Sequence, residues 1–179
     1  MKTIQILDKK FSLFIPEADI LHSVKQIADK INLDLSGKNP IFLCMLNGAF
    51  MFAADLLKNI NIPCEIAFVR FSSYEGTNST GDVKQIIGLT KEIKNRTVVI
   101  VEDIVDSGLT MQYMLKVLQE KQPKEIKVAS MFVKPENIQV DNLHLDYVGM
   151  NIPNDFIVGY GLDYNEYGRN LKEIYKIVE

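Results

Sequence analysis

The chain has 179 residues, 47% of them hydrophobic and 24% charged, with a net charge of −3. That length favours one domain with a sizeable buried core. The weak negative charge gives no general attraction to nucleic acid or acidic membranes, and no stretch approaches the roughly 20 apolar residues of a membrane span. The first residues, MKTIQILDKKFSLF, lack the continuous apolar run of a signal peptide. Cys44 and Cys64 lie in the apolar runs PIFLCML and PCEIAFV and read as buried free thiols of a reducing compartment. A cytoplasmic location is the expectation.

FSLFI (11–15) alternates and predicts a strand. Pro16 then opens a helix with Ile20, Val24, Ile27 and Ile31 at helical spacing. PIFLCML (40–46) is a buried-strand run stopped by the turn signal Asn47-Gly48. A helix follows, with Phe50, Ala53, Leu56 and Leu57 on its apolar side. EIAFVRF (65–71) is a strand, SSYEGTNSTGD (72–82) a polar loop, and VKQIIGL (83–89) and TVVIVE (97–102) are strands. Residues 108–120 are helical, with Met111, Met114, Leu115 and Leu118 on one side. EIKVASMFV (125–133) is a strand, and DYVGM (146–150), FIVGY (156–160) and EIYKIV (173–178) are shorter ones. Strands alternating with helices predict an α/β fold: a mostly parallel twisted sheet flanked by helices, binding ligands at the carboxyl edge of its strands. The long polar loop at 72–82 reads as a lid.

Several familiar signatures fail. Gly76 to Gly81 has the glycine spacing of a P-loop, but Asp82-Val83 stands where Lys-Ser/Thr is required. Gly159 and Gly161 begin like a dinucleotide fingerprint, and Tyr164 ends it. His22 and His144 have no zinc-binding spacing.

The stretch VVIVEDIVDSGLTM (98–111) carries chemistry. An apolar strand delivers Glu102 and Asp103 to the sheet edge. Asp106-Ser107-Gly108 then turns the chain into a helix, whose first N–H groups form an anion nest. Capping accounts for Asp106 or Ser107. It does not account for Glu102-Asp103, two adjacent carboxylates that repel an anion. They fit a ligand that also carries hydroxyls and a divalent cation, and anion, hydroxyls and cation together describe a sugar phosphate.

The same stretch resembles the phosphoribosyl-pyrophosphate motif of type I phosphoribosyltransferases: an apolar strand, two acids, two apolar residues, Asp-Ser/Thr-Gly, and Thr two places on. LNGAFMFAADL (46–56), SSYEGTNSTGDVK (72–84), ASMFVK (129–134) and DFIVGYGLDYNEYGRNL (155–171) resemble hypoxanthine–guanine phosphoribosyltransferases in the same order. The likeness covers nearly the whole chain from about residue 10. It implies a single domain over 1–179, with a core of approximately 16–149 under a small hood of approximately 1–15 and 150–179.

The resemblance implies transfer of a phosphoribosyl group to a 6-oxopurine, with pyrophosphate released and Mg2+ as cofactor. The 5′-phosphate falls to Asp106, Ser107, Gly108, Leu109 and Thr110. Some relatives carry Lys at Leu109, a change that a phosphate held by backbone N–H groups tolerates. Glu102 and Asp103 hold the ribose hydroxyls, directly or through metal and water. Asp106 matches the general base toward purine N7, a role that calls for some desolvation to raise its pKa. Lys134 matches the donor to the 6-oxo group, Phe156 stacks on the purine, and the Ile157 backbone meets the purine edge. Asp163 lies beside the purine and joins Glu102 and Asp103 as a magnesium ligand. Asn47, Gly48 and Arg169 meet pyrophosphate, with a non-proline cis bond implied at Leu46–Asn47 and Lys in place of Asn47 in some relatives. Ser73 and Tyr74 fall in the flexible lid. A homodimer or homotetramer is implied.

A regulator on the same fold, using phosphoribosyl pyrophosphate as an effector for nucleic-acid binding, is the competing reading. The acidic net charge and the lack of a helix-turn-helix or basic patch weigh against it. A pure sensor also has no use for Lys134, Phe156 and a lid together. Neither nucleic acid nor membrane is an expected partner.

Overall fold

The structure is a computed structural model, and it describes residues 2–74 and 83–178. The chain runs β1 (Thr3–Ile6), β2 (Lys9–Ile15), α1 (Glu17–Asp34), β3 (Ile41–Leu46), α2 (Phe50–Lys58), β4 (Glu65–Tyr74) and β5 (Val83–Ile87). It continues through β6 (Thr97–Val105), α3 (Leu109–Gln119), β7 (Glu125–Val133), a 3-10 turn at Pro135–Asn137, β8 (Tyr147–Asn151), β9 (Ile157–Val158) and β10 (Ile174–Val178). Six strands form one sheet in the order β5-β4-β3-β6-β7-β8. Five of them are parallel, and β5 pairs antiparallel with β4 at the edge.

Side-chain alternation decides which helix covers which face. Phe42 and Cys44 of β3, with Val99 and Val101 of β6, pack with Ile20, Val24 and Ile27 of α1 and Phe52 and Leu56 of α2. Their neighbours Ile41, Leu43, Val98 and Ile100 point the other way, onto Met111, Met114 and Leu118 of α3. Both faces of the central strands are therefore buried, so the sequence there reads as unbroken apolar runs. Cys44 and Cys64 are free thiols; burial, then the proximity of Cys64, pushes Cys44 up to about 12.

Strands β1, β2, β10 and β9 form a second, antiparallel sheet in that order. Phe11, Val158 and Tyr175 are its small core. The sequence reading missed β1, a four-residue edge strand whose alternation TIQI is too short to stand out.

Three expectations are corrected. In α2 the buried residues are Phe52, Ala53 and Leu56, while Phe50 is 40% exposed. At 100° per residue, Phe50 lies roughly 110° round the helix from the centre of that face. Ser73 and Tyr74 belong to β4 and not to a loop, in register with Lys84 and Val83 of β5. Antiparallel pairing carries the strand past the apolar run that marks it in the sequence. The remainder of the expected lid, 75–82, lies outside the described residues. Strand β6 also continues beyond Glu102 to Val105, so both acids sit within it. No helix among the described residues is long and apolar enough to cross a membrane.

Candidate active site

Parallel pairing of β6 between β3 and β7 brings three chain segments to the carboxyl edge of the sheet. At the end of β6, Gly108 takes a left-handed φ of +80° and starts α3. Residues 104–111 wrap a cavity of ≈ 120 Å³ lined by Asp106, Ser107, Gly108 and Thr110. A second cavity of ≈ 360 Å³ lies between Leu46-Gly48 and Glu102-Asp103, and both Glu102 and Thr110 line the two. The first is phosphate-sized with helix N–H groups at its rim, and the second has room for a sugar and further phosphates. Gly108 is the N-cap of α3, and Ser107 before it accepts from Leu109 N–H through its Oγ at 3.4 Å.

Asp103 is 9% exposed, and its Oδ1 accepts from its neighbour Ile104 N–H at 2.8 Å. Burial, and next the charge of Asp103, push Glu102 well above the ordinary carboxylate range. Two carboxylates crowded this way are relieved by a cation or by donor hydroxyls. The Leu46–Asn47 peptide bond is cis, and Gly48 lies directly under Asp103. A Cβ on Gly48 would stand 1.6 Å from Asp103 Oδ2. Any larger residue at 48 would push the Asp103 carboxylate aside.

Asp106 has not been raised. Partial burial pushes it up, but donations from Lys134 and Asn137 and the Lys134 charge outweigh that, leaving it below the ordinary value. Lys134 is buried, 7% exposed, and its Nζ lies 2.9 Å from Asp106 Oδ2. The two residues assigned to purine chemistry thus meet each other.

Arg169 is likewise engaged within the protein. Its Nη2 meets Asp163 Oδ1 at 2.9 Å and Glu166 Oε2 at 3.2 Å, its Nη1 donates to Gly161 O at 3.0 Å, and its buried Nε has no partner among the described residues. Asp163 also accepts from Glu166 N–H at 2.7 Å. Among the described residues no three acidic, His or Cys side chains gather as a metal cage, so Asp163 does not join Glu102 and Asp103 in one preformed cluster. Its carboxylate is turned to the arginine by the tight hairpin at Tyr164–Tyr167.

Phe156 is 46% exposed, with Tyr164 edge-on at 6.0 Å and Phe11 at 6.4 Å between ring centroids. Ile157 is buried beside it, in β9. Gly161 packs against the 46–48 loop: a Cβ there would lie 1.9 Å from Gly48 O. The sequence offered this glycine only as part of a failed dinucleotide fingerprint and did not mark Asn137 at all, because neither contact is visible without the fold.

Residues 17–165 match the phosphoribosyl transferase domain family. The chain belongs to that family. This phosphoribosyl transferase domain is similar to the hypoxanthine-guanine phosphoribosyltransferase of Streptococcus agalactiae, 44% identical over 87% of this chain and 86% of the relative. It is 41% identical to that of Streptococcus thermophilus, over 92% of this chain and 91% of the relative. Among solved structures, a hypoxanthine-guanine phosphoribosyltransferase from Bacillus anthracis superposes with a TM-score of 0.83 at 38% identity, covering 94% of this chain and 97% of that one. A hypoxanthine phosphoribosyltransferase from Staphylococcus aureus gives 0.85 at 36% identity, covering 93% and 91%.

Proposed function

We propose that this phosphoribosyl transferase serves purine salvage, moving the 5-phosphoribosyl group of phosphoribosyl pyrophosphate onto hypoxanthine or guanine. The products are IMP or GMP and pyrophosphate. The observation that carries the reading is the Asp106–Lys134 pair at the edge of a phosphate-sized cavity, beside two crowded acids. The bond from the anomeric carbon to pyrophosphate breaks, with its electron pair leaving on oxygen. A bond to purine N9 forms, and the N7 proton passes to Asp106. The anomeric carbon gains positive charge in between, as in glycoside chemistry.

The 5′-phosphate sits on the N–H groups of Ser107 to Thr110, and Glu102 and Asp103 accept from the ribose hydroxyls and favour the developing charge. Lys134 leaves Asp106 for the purine 6-oxo group, which frees the base as it fixes the substrate. Phe156 offers the purine an exposed ring face. Asn47 and Gly48 present loop N–H groups to pyrophosphate, and Arg169 exchanges Glu166 for phosphate oxygens, where its fork fits two at once. The raised Glu102 beside Asp103 fits a magnesium site. Magnesium takes one or two carboxylates and completes its shell with water and substrate phosphates, so a protein-only cage is not needed. Glu102 and Asp103 would hold it, with Asp163 within the pyrophosphate segment, and when bound it offsets charge on the leaving group.

The two free thiols suit the cytoplasm. Exposed Ile66 and Phe68 on β4, at 42% and 53%, suit a homodimer or homotetramer. The deciding experiment mixes the protein with donor, magnesium and hypoxanthine, guanine, xanthine or adenine, and measures nucleotide and pyrophosphate. Turnover with hypoxanthine and guanine is expected, and turnover with none of the four overturns the reading.

A further inference from the structure

The Asp106 carboxylate is held from both sides. Lys134 Nζ donates to Oδ2, and Asn137 Nδ2 donates to Oδ1. Lys134 has a part in the reaction above, and Asn137 has none. Both donors belong to one short turn, Pro135–Asn137 and the residue before it, closed by Asn137 N–H donating to Lys134 O at 3.0 Å.

The same segment stays on the phosphate loop beyond the turn. Gln139 N–H donates to Ser107 O at 2.9 Å. Val140 and Leu143 lie against Gly108, so close that a Cβ there would stand 2.8 Å from each. Residues 106, 107 and 108 are thus each touched by the segment that carries Lys134 and Asn137. The placement of Asn137 is set by backbone and packing and not by the carboxylate alone.

A carboxylate turns in a broad, two-fold torsional well, so an unclamped Asp106 samples many orientations. Lys134 cannot keep it fixed once its ammonium has moved to the purine. Asn137 can, because a neutral amide on a pinned turn has no reason to follow the substrate. We propose that Asn137 is a positioning residue for Asp106: it clamps Oδ1, so that Oδ2, uncovered as Lys134 moves to the 6-oxo group, accepts the N7 proton. The ring nitrogen keeps the electron pair of the broken N–H bond, and the carboxyl formed carries its proton on Oδ2. This inference rests on the reaction proposed above.

The test is steady-state kinetics with phosphoribosyl pyrophosphate and hypoxanthine on Asn137→Ala, Asn137→Gln and Glu136→Gln, each checked by thermal melting. A misdirected base forfeits part of the acid–base contribution, so Asn137→Ala lowers kcat by about tenfold. KM for phosphoribosyl pyrophosphate stays at the wild-type value, since the phosphate loop is held by Gln139, Val140 and Leu143. Asn137→Gln keeps the amide and restores part of kcat. Glu136→Gln, at the exposed neighbour, behaves as wild type. If Asn137→Ala melts early, Asn137→Gln alone decides by its kcat-to-KM split. Wild-type kcat in Asn137→Ala, a matching loss in donor KM, or the same fall in Glu136→Gln overturns the inference while leaving the reaction standing. Failure of the wild-type protein to turn over any purine removes both.

Discussion

Gly108→Ala puts a methyl group where the phosphate loop meets the segment that braces it. Two costs follow from the structure. At φ +80° an L-residue is disfavoured by roughly 1–2 kcal/mol. Val140 Cγ2 and Leu143 Cδ2, each 2.8 Å from the Cβ position, must also move. Overpacking of this kind costs about 1–3 kcal/mol, and the partial exposure of both side chains places it near 1. The sum is about 2–3 kcal/mol. Gly37→Ala separates the two contributions, because Gly37 has φ +75° and nothing within 4 Å of its Cβ position. It should cost only the backbone part, about 1–2 kcal/mol. Urea unfolding of both variants gives the comparison, and Gly108→Ala alone should raise KM for phosphoribosyl pyrophosphate. Adding Val140→Ala makes room for the methyl group, so the double variant should be more stable than the two single costs predict, by about 0.5–1 kcal/mol. Equal costs at the two glycines, no coupling to Val140 and an unchanged KM would refute the packing argument.

Gly48→Ala should displace the Asp103 carboxylate, raising KM for phosphoribosyl pyrophosphate at least tenfold, while calorimetry finds the fold intact, about 1 kcal/mol less stable. Lys134→Ala should weaken 6-oxopurine binding roughly tenfold or more, the worth of a charge-assisted hydrogen bond, and spare the donor; isothermal titration with equal losses for both would sink that role. Tyr160→Phe removes the donation to Asp55 Oδ2 at 2.8 Å and should cost about 1 kcal/mol in urea unfolding, with donor KM rising if Gly161 loosens from the 46–48 loop. Because Asp106 lies below its ordinary value, the stability from its pairing with Lys134 is present above the unfolded-state pKa of about 4 and is lost as pH falls through the folded-state value. Melting temperatures of wild type and Asp106→Asn should therefore differ most at neutral pH, and the difference should begin to shrink as pH falls below about 4. A gap of the same size at every pH, acid included, would show that the charge of Asp106 is not what Lys134 needs.

The sequence by itself determined the central sheet, because parallel strands buried on both faces must be unbroken apolar runs and the helices between them must keep a 3.6-residue stripe. Ile41–Leu46, Thr97–Val101 and Glu125–Val133 follow those runs. The motif at 98–111 likewise announced an anion site with acids beside it, since turn chemistry and charge are local properties of a few consecutive residues. What pairing adds lay outside that reach: β4 runs on through Ser73 and Tyr74, and β6 carries its acids inside the strand, because a neighbouring strand supplies the hydrogen bonds. Only the tertiary structure decided the state of the site. It set Lys134 and Asn137 on Asp106, lowering a carboxyl whose implied role as base called for raising it, and it turned Asp163 to Arg169. It also laid Gly48 under Asp103 and Gly161 against Gly48. Apart from Asp163–Arg169, these contacts join residues 28 to 113 positions apart. Their energies depend on distance and burial in space, which spacing along a chain does not contain.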